Sequence, residues 1–540
     1  MTNHVPFEIE LKLALPPQGV NGFLARMARR RSPPTVAVLH TRYFDTPDFD
    51  LSRAGVAVRV RRVGRRWVQT LKTEGERQGG LSQRIEYEMP VTRGVPDWSR
   101  FPPEAQAFVP AALRARLVPV FETRFERTAW LLAGRSGAQI EVALDRGEVR
   151  AGLRREPICE IELELKRGQP DALFDLARTW AAAFACLPND ESKAARGVRL
   201  AHDRAPSPVR SGTLKLDPAQ NMEDGFATIC RDALAHFQAN LPGVLSPHPN
   251  PLPGGEGANA GPKPGPHPNP LPGGEGANAG PKPIDDIEYV HQARVALRRL
   301  RTLLRLARRA CPLPPALLAG LRTLDDALGP ARDWDVLCQE TWPALSSALD
   351  ELPGHADETA RIEAHRQTVR ATMQTALAAA QPGVWLLDMS RWLLARGWRE
   401  AAPPQRAVQL SPLRDWARAE LRRAHRAVLR DAQRESLANA DVRHRLRIRI
   451  KRLRYALECL HALYPGRAPV RLLDALRTLQ GELGAANDAH VARGLLQSLP
   501  GEPGPARAFA LGWLAAQTAA GSTGKNAKAL KNFVKLRVDW

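Results

Sequence analysis

The sequence predicts an α+β protein of two unlike parts: an antiparallel β-barrel or tunnel, then an all-α helical bundle with an internal repeat. Three observations carry this. Residues 1–205 contain many short runs that alternate apolar and polar side chains, the period-two signature of strands. Residues 284–540 instead carry apolar residues at helical spacing, with many Ala and Leu, and 219–241 share that pattern. Within the helical half, the segment at 291–301 recurs at 444–454 and the one at 328–333 recurs at 483–488. Two recurrences at nearly equal offsets mark two copies of one helical unit.

The 540 residues are 44% hydrophobic and 25% charged, which excludes wholesale disorder. Lys and Arg number 78 against 57 Asp and Glu, a formal charge of +21. Such a field favours polyanionic partners. Six scattered cysteines, at 159, 186, 230, 311, 338 and 459, have no metal-site or redox spacing, which points to reduced thiols and a cytoplasmic protein. The start, MTNHVPFEIELKL, lacks the pattern of a signal peptide. No run of apolar residues is long enough to cross a membrane. The best candidate, 383–398, contains Asp388, Arg391 and Arg396. P-loop, zinc and Ser/His/Asp patterns are absent.

Three segments are expected: a tunnel domain at 1–205, a linker at 206–218, and a helical domain at 219–540. The helical domain is interrupted at 247–283. There PHPNPLPGGEGANAGPKP, at 247–264, returns unchanged at 266–283. Proline and glycine at this density build no core, so the insert is expected to be a disordered linker. It reads as a tolerated duplication rather than as a ligand motif for a proline-recognising module.

The strands of the first part place charges together. In Phe7–Leu13, Glu8, Glu10 and Lys12 share one face and Phe7, Ile9, Leu11 and Leu13 the other. One such strand alone reads as half-buried with a solvated polar face. The pattern recurs, however, in Glu160, Glu162, Glu164 and Lys166. Glu86 and Glu88 flank Tyr87; Arg59 and Arg61 share a face; Lys72, Arg124 and Arg127 add cations. A closed sheet gathers these faces around one interior. Clustered carboxylates suit hard divalent cations, and clustered Arg and Lys suit phosphate oxygens. A site asking for both fits a metal-complexed polyphosphate.

The E-x-E-x-K start, the Arg-x-Arg at 59–61, the Lys72 strand, the paired Glu strands and SKAARG at 192–197 resemble the CYTH family, the triphosphate tunnel metalloenzymes. YFDTP at 43–47 and IEVALDRG at 140–147 are similar to further family segments. The resemblance spans about 5–203. It implies a metal-dependent hydrolase releasing phosphate from inorganic triphosphate, with Mg²⁺ or Mn²⁺ as cofactor. On that analogy Glu8, Glu10, Glu162 and Glu164 hold the metal. Arg59, Arg61, Lys72, Arg127 and Lys193 grip phosphate oxygens. Lys12 and Lys166 lie near the metal end as catalytic candidates, and Glu86 and Glu88 orient water or a second metal. Family members acting on thiamine triphosphate or a nucleotide remain an alternative reading, as does a non-catalytic polyphosphate-binding protein.

In the helical half, His291, Arg294, Arg298 and Arg301 form one stripe, and His444, Arg447, Lys451 and Arg454 a second. Like charges at this spacing oppose one another unless an anion lies between them. The segment resembles the CHAD domain, which implies inorganic polyphosphate as ligand of those eight residues. Nucleic acid is disfavoured, because no aromatic platform interrupts the stripes before Tyr455. No membrane partner is expected.

Overall fold

A computed structural model describes residues 7–30, 32–212, 214–246, 286–400, 402–434, 440–520 and 525–536. The tandem repeat at 247–283 lies outside the described residues.

The N-terminal strands are β1 (Phe7–Ala14), β2 (Thr35–Asp45), β3 (Val56–Val63), β4 (Arg66–Thr73), β5 (Glu76–Gln78), β6 (Leu81–Val91), β7 (Val118–Ala133), β8 (Gln139–Ala151), β9 (Arg154–Arg167) and β10 (Leu187–Pro188). Eight of them run β1-β9-β8-β7-β2-β3-β4-β6, and β6 returns to β1 from Phe7↔Ile85 to Leu11↔Leu81. Every pairing is antiparallel, so the sheet is a closed barrel. Two-residue connections close the hairpins β3–β4 and β8–β9. Gly64 and Gly152 supply the positive φ these turns require, +59° and +60°.

The barrel's polarity is inverted. Most of its apolar faces point outward and are covered from outside, whereas at one end Leu39, Phe121, Phe125, Val149 and Ile158 turn inward against the helix Lys193–Ala201. Leu11, Leu13, Val142, Leu144, Ile161 and Leu163 pack beneath the helices Val20–Ala28 and Asp171–Phe184. There Phe23 meets Trp180 edge to face at 5.2 Å, with the indole fully buried. Val58, Val60, Leu71 and Tyr87 are covered by Phe101, Ala105 and Val109. The helix Lys193–Ala201, capped by Ser192, packs near one end of the barrel. Gly197 lets that helix approach: a Cβ there would lie 2.1 Å from the Phe121 ring, which stacks on Tyr43 at 4.5 Å.

The helical half contains Met222–Leu245, Asp286–Ala307, Pro315–Val336, His355–Ala379, Pro382–Leu394, Leu413–Arg434, Ala440–Leu460, Arg467–Ser498, Pro505–Ala520 and Lys525–Lys535 among its described helices. The apolar stripes at 293/297/300/304 and 446/450/453/457 are all buried. They seat the two repeated helices in one core. The units also start side by side: Met222 N donates to Ser411 O and Leu413 N to Gln220 O, each at 2.8 Å. Gly243 lies against the Tyr289 ring, and His236 hydrogen-bonds Gln292 at 3.0 Å. The end of Met222–Leu245 is thereby joined to the start of Asp286–Ala307. All six cysteines are free, and no helix among the described residues is long and apolar enough to cross a membrane.

Gly197→Ala forces the Phe121 ring aside. Overpacking of this kind costs about 1–3 kcal/mol. A lowered urea midpoint for the barrel, relative to the unaltered chain, is the expected result.

Candidate active site and basic groove

Strand register brings the predicted charges inside. Lys12 stands opposite Glu162, Glu10 opposite Glu164, and Glu8 opposite Arg84. Asp145 stands opposite both Glu160 and Arg127. Lys72 faces Glu86, and Arg59 lies between Tyr43 and Thr70. All of these side chains except Asp145, Glu160 and Thr70 line a tunnel with a cavity volume of about 1110 Å³.

Deep in the tunnel the charges pair closely. Arg127 makes two bonds of 2.7 Å to Asp145 and another to Glu162. Lys193 donates to Asp145 at 2.6 Å, Glu160 at 2.5 Å and Glu162 at 2.9 Å. Burial alone would push the Glu162 carboxyl up, but Lys193 and Arg127 hold it well below the usual range. Burial likewise opposes the charge on Lys193, and its three carboxylates raise it instead. Lys12 donates to Glu10 at 2.8 Å and lies 3.8 Å from Glu162. Arg84 bridges Glu8 (2.9 Å) and Glu10. Against the effect of burial, Lys72 and Arg84 hold Glu8 low, and Lys12 and Arg84 do so for Glu10.

Elsewhere the lining is less balanced. Burial and the Glu8 charge push the Glu86 carboxyl up, although Lys72 (3.0 Å) and Arg59 (3.6 Å) stand near it. Burial pushes Glu164 up despite Lys166 at 2.7 Å. Glu88 is exposed but lines the cavity, and Lys166 is half-exposed. Arg61 has no carboxylate within ion-pair distance among the described residues. It donates to Thr41 Oγ1 at 3.2 Å and lies 6.0 Å from the centre of the Phe125 ring. Burial, Arg59 and Arg127 push its guanidinium down to about 10. The buried Arg59 Nε has no hydrogen-bond partner. Beside these cations the Tyr43 hydroxyl is held below an ordinary phenol, against the effect of burial.

Among the described residues, one set of three carboxylates has oxygens within 4.8 Å of one another: Asp145, Glu160 and Glu162. The Lys193 ammonium is hydrogen-bonded to all three. Glu8, Glu10 and Glu164 line the same cavity as Glu162 outside that set.

The sequence-derived site missed Tyr43, Arg84 and Glu141, which line the cavity, and Asp145 and Glu160, which pair with Lys193. Tyr43, Glu141, Asp145 and Glu160 sit in segments singled out above, and Arg84 lies one same-face position before Glu86. Counting the inward parity through Glu141 and Ala143 leads directly to Asp145.

In the helical half the stripes face each other. Arg298 lies 5.6 Å from the Tyr455 ring centre and Arg454 4.3 Å from it. Arg294, Arg298 and Arg454 each keep a buried Nε without a partner. Burial, followed by Arg447, pushes Lys451 down to about 8; Arg298 and Arg454 act in the same direction. Burial and Arg332 lower His291. Arg301 turns instead to Asp325. The His444 side chain lies outside the described residues. Tyr455 is buried, so it supports arginines and offers no open face to a base.

The CYTH domain model matches residues 6–198 and the CHAD domain model residues 279–497. The chain carries a CYTH domain followed by a CHAD domain. Among curated proteins, the inorganic triphosphatase of Haemophilus influenzae is 34% identical over 213 residues, covering 37% of this chain and 56% of that protein. The chain thus aligns with little more than half the relative's length. Among solved structures, the CHAD domain of the plant Ricinus communis is 28% identical with a TM-score of 0.49, covering 62% of this chain and 98% of that one. A putative adenylyl cyclase from Hippeastrum, described as having a dominant triphosphatase activity, is 18% identical with a TM-score of 0.28, covering 37% and 97%.

Asp145→Asn removes the charge that Arg127 and Lys193 share while nearly conserving volume. Breaking a buried pair from one side costs about 3–5 kcal/mol. The CYTH barrel should therefore unfold at clearly lower urea, as read by tryptophan fluorescence.

Proposed function

We propose that the CYTH tunnel is a metal-dependent inorganic triphosphatase and that the CHAD domain holds inorganic polyphosphate. The observation that carries the first part is Arg61, a half-buried cation inside the tunnel with no carboxylate partner among the described residues, beside the orphaned Arg59 Nε. Buried charge without a partner is costly, and a phosphate chain supplies that partner. The CYTH assignment and the named activity of the Haemophilus relative support the same reading.

In this reading Arg59, Arg61, Lys72, Arg127 and Lys193 take phosphate oxygens. Lys72, Arg127 and Lys193 exchange part of their present carboxylate contacts for the substrate. Glu8, Glu10, Glu162 and Glu164 would hold Mg²⁺ or Mn²⁺. The donor set fits, since all its ligand atoms are carboxylate oxygens and burial disfavours the Glu164 charge, which a cation beside it would offset. When bound, the ion supplies charge neutralisation on the transferring phosphoryl group. Lys12 and Lys166 stand beside these carboxylates and limit their mutual repulsion. Glu86 is better placed than exposed Glu88 to accept a proton from the attacking water, because it sits within the tunnel beside Lys72 and Arg59.

The CYTH domain is taken as 1–205, the linker as 206–218 and the CHAD domain as 219–540, so that Met222–Leu245 belongs to the helical core. Six unpaired cysteines support a cytoplasmic setting.

Phosphate release from tripolyphosphate, measured with and without Mg²⁺, tests the enzyme. Glu8→Gln with Glu10→Gln should abolish metal-dependent turnover in a folded chain. Near-normal turnover by that variant would reject the assignment. A higher kcat/KM for ATP than for triphosphate would transfer the tunnel to nucleotides.

The CHAD groove gives a pH test. Polyphosphate favours charged Lys451, whose proton leaves the free protein near pH 8. Affinity of the full chain for long polyphosphate should fall several-fold as pH rises through that value. Lys451→Arg keeps its charge and should flatten the profile. Affinity should also drop steeply with added salt.

A further inference from the structure

Lys12 lies where β1 leaves β6, against a turn that has two neighbours. Its amide donates to Gly80 O at 2.9 Å, and its carbonyl accepts from Asn189 N at 3.0 Å. Gly80 N donates to Asp190 Oδ1 at 2.7 Å. Gly79 and Gly80 hold φ of +60° and +85°, conformations that suit glycine. A Cβ on Gly80 would come within 2.5 Å of Lys12 O, and one on Gly79 within 2.1 Å of Ser390 Oγ. The turn is therefore wedged between the Lys12 backbone and the CHAD-domain helix Pro382–Leu394. Gln78 closes the wedge by donating Nε2 to Ser390 O at 2.8 Å.

Ser390 is fully buried and its Oγ has no hydrogen-bond partner. Its hydroxyl acts as bulk at a fixed place. The surrounding interface keeps it there. Val384 and Leu387 of the same helix belong to the apolar cluster outside the barrel. Gly383 approaches Cys186 O so closely that a Cβ would lie 2.1 Å from it. Arg391 binds Asp171 and Asp175 (2.9 Å), and Arg178 binds Asp388 (2.9 Å).

We infer that Ser390 of the helical domain is a positioning residue for the tunnel. By pressing on the Gly79–Gly80 turn it fixes the Lys12 backbone, and with it the ammonium 2.8 Å from Glu10. Its effect on turnover rests on the triphosphatase reading; its effect on Lys12 does not.

The full chain, labelled with ¹³Cε-lysine, gives both readouts. Ser390→Val puts methyl groups where the hydroxyl sits. It should move the Lys12 resonance, identified by its loss in Lys12→Arg, and leave that of Lys451 in place. The kcat for triphosphate should fall about tenfold with KM little changed, because small misplacements of a reacting group act on the chemical step. Should Ser390→Val fail to fold, Ser390→Thr, one methyl larger than serine, carries the same test. Arg178→Ala cuts an exposed ion pair of the same interface and should leave both readouts at the unaltered value. A folded Ser390 variant with unmoved Lys12 resonance overturns the inference, as does an equal shift in Arg178→Ala. A moved resonance in a chain that hydrolyses no triphosphate supports the positioning and overturns the enzymatic reading alone.

Discussion

Mutual neutralisation of inward-pointing charges is the constraint on which the barrel depends. Most of its apolar surface faces outward, so the interior holds the groups that folding ordinarily leaves in water. Such an interior is stable only if each charge has a partner. The register supplies most of them: Lys12 opposite Glu162, Glu8 opposite Arg84, Asp145 opposite Arg127. Lys193, arriving from a helix, completes the set by bonding three carboxylates at once. The outer helices follow from the same inversion, since an outward apolar face has to be covered.

The CHAD domain solves a different problem. Its apolar stripes bury in the ordinary way, and its cations are crowded against one another across two related helices. Arg454 pairs with Glu458 at 2.8 Å, yet the buried Nε atoms of Arg294, Arg298 and Arg454 lack partners. Deep in the tunnel the charges are thus nearly balanced, with Arg61 left without a carboxylate among the described residues, whereas the paired basic helices carry more cation than neighbouring acid. On the reading proposed above, a short anion would occupy the first and an extended polyanion the second.

Much of this was legible in the sequence because strand parity is rigid. Once Glu8, Glu10 and Lys12 share a face, closure of the sheet puts them inside, and helical spacing placed the two basic stripes equally well. Register and long-range contacts were not legible. Nothing local pairs Asp145 with Arg127, eighteen residues earlier, or sets Lys193 among three carboxylates. The stripe rule also grouped Arg301 with Arg298, yet a neighbouring helix offers Asp325 and takes it. The press of Ser390 on Gly79 spans 312 residues between Gln78 and Ser390, and a glycine pair by itself announces only a turn.

The helices Met222–Leu245 and Asp286–Ala307 are held together by their own packing, with Gly243 against Tyr289 where one ends and the other begins. The chain between them has only to reconnect two points that the core already keeps adjacent. Doubling such a connection costs only about 0.6 kcal/mol. Natural selection acting through stability is therefore nearly blind to how many copies of the 19-residue unit stand there. Stability by itself places little constraint on copy number at this position, and a domain inserted there would meet the same small cost.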